Sequence, residues 1–247
     1  MKPYNREGAT KGEEVREMFD TIAPSYDRLN HILSMQIDKL WRWRVVRIMK
    51  HHINALNKTN SEPKRILDVA TGTGDLAIAM ARNIEGIEVL GVDPSQGMLD
   101  VAVQKIESQK LNIKTQCCSA EKLPLDDSIF DGVTASFGVR NFSDLEGGLR
   151  EMVRVTKVGG IVIVLEFSTP PNAIFKWFYN LYSRHILPRI GAMISRDRKA
   201  YEYLPASVEE FATRSEFLAL MSKVGLGDCY ARSQSFGIAQ IYVGIKK

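Results

Sequence analysis

Short apolar runs alternate with helical segments between residues 64 and 167, and this alternation constrains the fold more than any other feature. Five runs have the composition of buried strands: 65–69, 88–92, 112–117, 130–135 and 160–165. Helical periodicity lies between them at 76–83, 96–109 and 145–156. Alternation on this scale predicts βαβ units, and therefore a parallel sheet with helices on both faces.

The segments on either side of this core have different patterns. Residues 1–60 are predicted to be helical, because apolar side chains recur at helical spacing, as at Val15, Met18, Phe19 and Ile22. Residues 168–247 predict helices at 172–194 and 207–224, with Ser207 as the N-cap of the second, and strands at 228–233 and 238–245. Two successive strands predict an antiparallel hairpin at one edge of the sheet. We therefore expect one α/β domain, 1–247, with a mostly parallel, seven-stranded, Rossmann-like sheet.

Length and composition exclude several classes of protein. A chain of 247 residues can bury a core without disulfides or metal. The longest strongly apolar runs, such as 161–165, are far shorter than the roughly 18 residues of a membrane-spanning helix. Residues 1–17 are polar and unlike a secretory signal. The three cysteines, Cys117, Cys118 and Cys229, form no redox or zinc motif, so we expect reduced thiols, no metal site and a cytoplasmic location.

A glycine-rich turn, LDVATGTGD at 67–75, follows the first predicted strand. Glycines there let backbone N–H groups approach a ligand closely. Gly72, Gly74 and Ala77 fit the loose dinucleotide fingerprint, and Asp93 lies nineteen residues beyond Gly74. The turn is therefore compatible with a nicotinamide or flavin dinucleotide, or with an adenosyl cofactor that has no phosphate.

Asp68 favours the adenosyl cofactor, because it lies at the end of the first strand, directly before the turn. Its carboxylate would repel a pyrophosphate by roughly 4 kcal/mol at a separation of about 4 Å. It would attract the ammonium and sulfonium groups of S-adenosylmethionine, while Asp93 can bind the ribose hydroxyls of either cofactor. The alternative is that Asp68 and the glycines only tighten the turn.

Three more residues fit an adenosyl site. Ser119 and Ala120 follow the third strand, where an adenine edge would lie. Ser136 ends the fourth strand, at the carboxyl edge where open α/β sheets bind ligands. With these residues the chain resembles class I S-adenosylmethionine-dependent methyltransferases, although Ala70 stands where their motif usually has glycine.

Other segments resemble more narrowly the ubiquinone/menaquinone biosynthesis C-methyltransferase family. They are FDTIAPSYDRLN at 19–30, SFGVRN at 136–141, LEFS at 165–168 and LPRIG at 187–191. The resemblance extends from residue 13 to 245 and departs at Gln36, where the family commonly has glycine. It implies methyl transfer to a ring carbon of a polyprenylated quinol. It also implies cofactor contacts, which with the loop residues give this predicted site: Asp68, Gly72, Thr73, Gly74, Asp93, Ser119, Ala120 and Ser136.

The resemblance to bacterial members of the family makes demethylmenaquinol the expected acceptor. A 2-methoxy-6-polyprenyl-1,4-benzoquinol of ubiquinone biosynthesis, or another small molecule, is the alternative. A quinol attacks a methyl sulfonium once a ring hydroxyl, with a pKa of about 10, loses its proton. Arg140 would stabilise the phenolate and Asn141 would orient the hydroxyl, unless the two only cap the next helix. A carboxylate, His185 or a water would take the proton. The predicted acceptor-binding residues are Tyr26, Asn30, Tyr182 and His185.

A prenylated acceptor requires contact with a membrane. Residues 172–201 hold six aromatic and six basic residues against one acid, Asp197. This composition is typical of a helix at an anionic interface, although a helix packed on the core has a similar one. We therefore expect transient contact with a membrane surface, and leave a homo-oligomer open.

Three other classes of function compete. The net charge of +4 permits a nucleic-acid methyltransferase. The Asn/Asp-Pro-Pro-Tyr signature is absent, however, because Thr169-Pro-Pro-Asn172 follows the fifth strand and not the fourth, so we expect no nucleic-acid partner. A dinucleotide oxidoreductase and a non-enzymatic adaptor with a relict cofactor pocket are the other two.

Overall fold

The computed structural model describes residues 1–34, 36–58, 62–172 and 198–247, without the side chains of 28–33, 198, 200–202 and 204. Nearly all of the helix predicted at 172–194, including Tyr182 and His185, lies outside the described residues. Asn30 lies in a described helix, but its side chain does not belong to the description.

Seven strands of the described chain form one sheet: β1 (Lys64–Val69), β2 (Ile87–Asp93), β3 (Ile113–Cys117), β4 (Phe130–Ser136), β5 (Thr156–Phe167), β6 (Leu226–Gln234) and β7 (Ala239–Lys246). Their order is β3-β2-β1-β4-β5-β7-β6. Strands β1 to β5 are parallel, and β7 runs antiparallel to both β5 and β6. The predicted sheet and hairpin are confirmed, with β7 inserted between β5 and the edge strand β6.

The helices of the described chain are α1 (Lys11–Leu33), α2 (Ile37–Asn57), α3 (Asp75–Asn83), α4 (Gln96–Ser108), α5 (Leu145–Val155), α6 (Arg198–Glu209) and α7 (Arg214–Lys223). Helices α2, α3 and α4 pack on one face of the sheet, and α5 and α7 pack on the other. Helix α1 buries Val15, Met18 and Ile22 against Met98 of α4 and Tyr203 of α6. It therefore lies outside the two helical layers. Gln36, which precedes α2, has a φ of 61°, the left-handed conformation that glycine adopts most easily.

The prediction of a single helix at 207–224 is wrong. The chain forms two helices, α6 and α7, and Ser207 lies inside α6 instead of capping a helix. Thr213 is the N-cap of α7, and it forms a capping box in which the Glu216 carboxylate accepts from the Thr213 backbone N–H at 2.8 Å. Apolar periodicity does not show this break, whereas the Thr-x-x-Glu spacing is its sequence signature.

Replacing Thr213 by alanine should lower the free energy of unfolding by about 1 kcal/mol, because the first turn of α7 loses its cap. Urea unfolding followed by circular dichroism measures the change. Ser222→Ala, an exposed position in the last turn of the same helix, is the control and should leave the midpoint unchanged. Equal midpoints for all three proteins would contradict the assignment of Thr213 as the cap.

Candidate functional site

A cavity opens where β1, β2 and β4 end, at the carboxyl edge of the sheet. Five predicted cofactor residues line it: Gly72, Asp93, Ser119, Ala120 and Ser136. Tyr26 and Asn141, predicted to contact the acceptor, line it as well. Helix α1 forms its roof through Gly12, Glu13, Val15, Arg16, Phe19 and Tyr26. The structure thus brings together most of the predicted site, and adds a helix that the cofactor prediction did not include.

Asp93 fixes the glycine-rich turn from the cavity side. Its Oδ2 accepts a hydrogen bond from the Gly72 backbone N–H at 2.8 Å, and its Oδ1 accepts from the Ser95 N–H at 2.9 Å. Burial raises the pKa of Asp93 to about 6. Gly72 has a φ of 56°, and a Cβ at this position would meet open space. A ligand can therefore approach the backbone here closely.

Asp68 supports the same turn from below and does not line the cavity. Its carboxylate accepts hydrogen bonds from the hydroxyls of Thr71 and Thr134 at 2.7 and 2.6 Å. Burial raises its pKa to about 6. These contacts fit the alternative in which Asp68 only tightens the turn. They do not fit direct contact between Asp68 and the charges of a cofactor.

Thr73 and Gly74 also lie outside the cavity lining, and Thr73 connects the turn to the roof. Its hydroxyl donates to Asp27 of α1. Lys105 of α4 binds the Asp27 carboxylate at 2.7 Å and the Asp75 carboxylate at 2.5 Å. Sequence reasoning did not assign Asp27 to the site, although its position next to Tyr26 in a family-like segment was a signal.

Arg140 lies in a buried ion pair and is not among the residues that line this cavity. Its Nη1 donates to Glu166 Oε1 at 2.7 Å, and its Nε donates to the Ser207 hydroxyl at 3.2 Å. Its guanidinium carbon lies 5.4 Å from the centroid of the Phe167 ring. Glu166 neutralises the cation that was expected to face a phenolate. Sequence reasoning missed Glu166 as the partner, because the pair joins the turn after β4 to the end of β5, 26 residues further along the chain.

Asn141, by contrast, faces the cavity. The Tyr203 hydroxyl donates to its amide oxygen at 3.1 Å, which leaves the amide N–H groups available to a ligand. Phe19, Phe137 and Phe142 give this end of the cavity an aromatic wall.

Ala70 and Gly138 approach each other closely between the turn and the end of β4. Ala70 has a φ of 52°, so it adopts the conformation that the usual glycine would take without strain. A Cβ added to Gly138 would lie 2.5 Å from the Ala70 Cβ. The methyl group of Ala70 therefore fits only because residue 138 has none.

Comparison with known proteins identifies the family. The sequence model of the ubiE/COQ5 methyltransferase family matches residues 7–246. The chain belongs to the ubiE/COQ5 methyltransferase family. It is 38% identical to a demethylmenaquinone methyltransferase of Bacteroides fragilis, over 100% of this chain and 97% of that protein. It is 44% identical to the ubiquinone/menaquinone biosynthesis C-methyltransferase UbiE of Geobacter sulfurreducens, over 96% of this chain and 90% of that one.

Solved structures share the fold at lower identity. The [4+2]-cyclase SpnF has a TM-score of 0.64 and 18% identity, over 96% of this chain and 97% of that one. Phosphoethanolamine N-methyltransferase 2 of Haemonchus contortus, solved with S-adenosyl-L-methionine, has a TM-score of 0.54 and 15% identity, over 79% of this chain and 52% of that one. A cyclase and a methyltransferase share this architecture, so the fold alone does not specify the reaction. No described helix of this family member is long and apolar enough to cross a membrane.

Gly138→Ala should destabilise the protein by about 1–3 kcal/mol and weaken binding of S-adenosylhomocysteine, because the new methyl group overpacks the site against Ala70. Ala70→Gly in the same chain should restore both quantities, since it removes the atom that clashes. Urea unfolding and calorimetric titration of the two single variants and the double variant measure the coupling. If Gly138→Ala causes the same impairment with and without Ala70→Gly, the close contact is not the cause.

Arg140→Ala should lower the free energy of unfolding by about 3–5 kcal/mol, because it leaves the buried Glu166 carboxylate without its partner. Arg140→Met combined with Glu166→Leu should recover much of that loss, since it removes both charges. Arg150→Ala, which breaks an exposed ion pair with Glu146, serves as the control. It should lower the free energy of unfolding by about 1 kcal/mol or less. Unfolding of Arg140→Ala at the wild-type midpoint would refute the pairing.

Proposed function

We propose that this chain transfers the methyl group of S-adenosylmethionine to a ring carbon of a polyprenylated quinol, and that demethylmenaquinol is its acceptor. The observation that carries the proposal is similarity along the whole chain to relatives named demethylmenaquinone methyltransferase, in Bacteroides fragilis and, at 40% identity, in Porphyromonas gingivalis. The cavity supplies the physical support, because its charge suits the cofactor and its aromatic lining suits the acceptor ring.

The charges around the cavity favour a cationic cofactor. Of the described residues that line it, three carry a carboxylate, Glu13, Asp93 and Glu121, and one carries a guanidinium, Arg16. A pyrophosphate would be repelled by this set, whereas the ammonium and sulfonium of S-adenosylmethionine would be attracted. Asp93 would accept the ribose hydroxyls, since each of its oxygens has a lone pair beyond the one used by the backbone. Ser119 and Ala120 would contact the adenine, and Gly72 and Ser136 would approach the rest of the cofactor.

S-adenosylmethionine supplies an electrophilic methyl group when it is bound. The chain's own residues must then hold the acceptor ring in line with that group, which supplies much of the rate. Asn141 would donate a hydrogen bond to a quinol oxygen, and Tyr26 would close over the ring from the roof. A carboxylate of the cavity, or a water held by it, would accept the hydroxyl proton. Arg140 acts in this scheme as a positioning residue, because its contacts fix the turn that carries Asn141.

The benzoquinol of ubiquinone biosynthesis is the second candidate acceptor. The relative in Geobacter sulfurreducens has a name that covers both pathways. An aromatic wall formed by Phe19, Phe137 and Phe142 would contact either ring. A prenyl tail on either acceptor requires an enzyme that works at a membrane surface, and residues 172–201 have a suitable basic and aromatic composition. We place this work at the cytoplasmic face.

Assays of both reduced quinols with methyl-labelled S-adenosylmethionine test the proposal. Label should enter demethylmenaquinol, and Asn141→Ala should lower kcat/KM for it by at least about tenfold while calorimetry shows unchanged binding of S-adenosylhomocysteine. Ser143→Ala, at a neighbouring position on the cavity rim, is the control. Label in the benzoquinol alone would favour the second acceptor. Cofactor binding without transfer to either quinol would refute the quinol assignment, and binding of reduced nicotinamide cofactor instead would indicate an oxidoreductase.

A further inference from the structure

One side of helix α2 presents basic and large apolar side chains together to solvent. Its members recur at helical spacing and are all exposed: Lys39, Leu40, Trp43, Arg47 and Lys50. Leu40 is 45% exposed and Trp43 is 51% exposed. The Arg47 guanidinium lies 5.1 Å from the centroid of the Trp43 ring. We call these five residues the α2 outer face.

The turn between β6 and β7 extends this surface. The Trp41 indole donates to the Ser235 hydroxyl at 3.0 Å, and the Arg44 guanidinium donates to the Gln234 side chain, so the turn lies beside the first turns of α2. The next residue, Phe236, is 70% exposed and has a φ of 59°. A third large apolar side chain is therefore presented to solvent by the turn that contacts Trp41 and Arg44, in a backbone conformation that a bulky residue rarely adopts.

The N-terminal part of this surface lies near the cavity edge of the molecule. On the inner side of α2, the Trp41 ring contacts Phe137, at 6.1 Å between centroids, and Phe137 lines the cavity. The turn follows the carboxyl end of β6, which is the edge where the cavity opens. Gly237 in this turn packs against Pro171, since a Cβ there would lie 2.6 Å from the proline ring. Pro171, which precedes the basic aromatic stretch of residues 172–201 in the sequence, therefore lies beside this turn.

The charge of α2 indicates what this surface binds. The helix holds five basic residues and one acid, Asp38, which is buried and paired with Arg42. The exposed charges of the α2 outer face are consequently all positive. A surface that enters the headgroup region of an anionic bilayer typically combines basic residues, Lys and Arg, with large apolar residues such as Trp, Leu and Phe.

We propose that the α2 outer face, together with Phe236, docks on an anionic lipid bilayer and brings the cavity to its membrane-borne acceptor. This inference rests on the proposed function, because a prenylated acceptor is what makes docking necessary. A second copy of this chain is disfavoured, since a two-fold contact through this face would place basic residues against basic residues. Three exposed apolar side chains favour lipid over a nucleic-acid backbone.

Vesicle sedimentation with the full-length protein tests the docking. Phosphatidylcholine vesicles that contain phosphatidylglycerol should bind the wild type, and vesicles of phosphatidylcholine alone should bind it much less. Arg47→Glu with Lys50→Glu should weaken binding to the anionic vesicles by more than about 25-fold, because each basic residue near an anionic surface contributes a factor of about five. Leu40→Ser with Trp43→Ser should also weaken it. The control, Val158→Ser with Lys110→Glu, changes exposed residues at the opposite edge of the sheet.

Activity measured with two forms of the acceptor separates this inference from the proposed function. Both outer-face variants should lose turnover of quinol embedded in anionic vesicles, and should retain wild-type kcat/KM for a short-chain quinol in solution. Wild-type protein that methylates neither quinol would refute the proposed function, whatever the vesicles show. Unchanged vesicle binding by both variants, equal binding to neutral vesicles, or loss of a dimer in the variants without lipid would overturn the docking.

Discussion

Two buried carboxylates hold the turn between β1 and α3, and the cavity depends on that turn. Asp68 binds threonine hydroxyls below it, and Asp93 binds the Gly72 N–H beside it. Because burial raises both pKa values from 3.8 to about 6, each ionised carboxylate costs the fold about 3 kcal/mol at neutral pH. This cost is full above pH 6 and is relieved as the pH falls towards 4, where the unfolded chain also binds the proton. The fold thus retains two destabilising charges at the one place where a cationic ligand would offset them.

The roof is tied to this turn and to its neighbours at several points. Asp20 of α1 accepts hydrogen bonds from the Ser95 hydroxyl at 2.6 Å and the Gly97 N–H at 2.9 Å, at the start of α4. Asp27, two turns later, binds Thr73 and Lys105. A ligand in the cavity would therefore contact a turn and a helix that already hold each other in place. The proposed positioning of an acceptor by Tyr26 and of a cofactor by Gly72 would depend on the same contacts.

The parts of the site that could be predicted are those fixed by local rules. Strand ends in a parallel sheet meet at one edge, so Gly72, Asp93 and Ser136 could be placed together from the alternation of strands and helices alone. Pairing between distant segments follows no such rule. The sequence pattern does not show that Glu166 neutralises Arg140, because many arrangements of the same strands would satisfy its periodicity. The break before α7 was missed for a different reason, since apolar periodicity is a weaker indicator of a helix end than the Thr213 capping box.

The net charge of +4 is the sum of regions with opposite local charge. The described lining of the cavity has three carboxylates and one guanidinium, whereas the α2 outer face has basic residues without an exposed acid on that helix. The proposed cationic cofactor and anionic bilayer would therefore be attracted to different places, and neither would compete with the other. Helix α2 connects the two surfaces, with Trp41 on its inner side against Phe137 of the cavity lining and Trp43 exposed on its outer side. An acceptor whose ring is polar and whose tail is apolar would need both surfaces close together, which one helix packed on the face of the sheet provides.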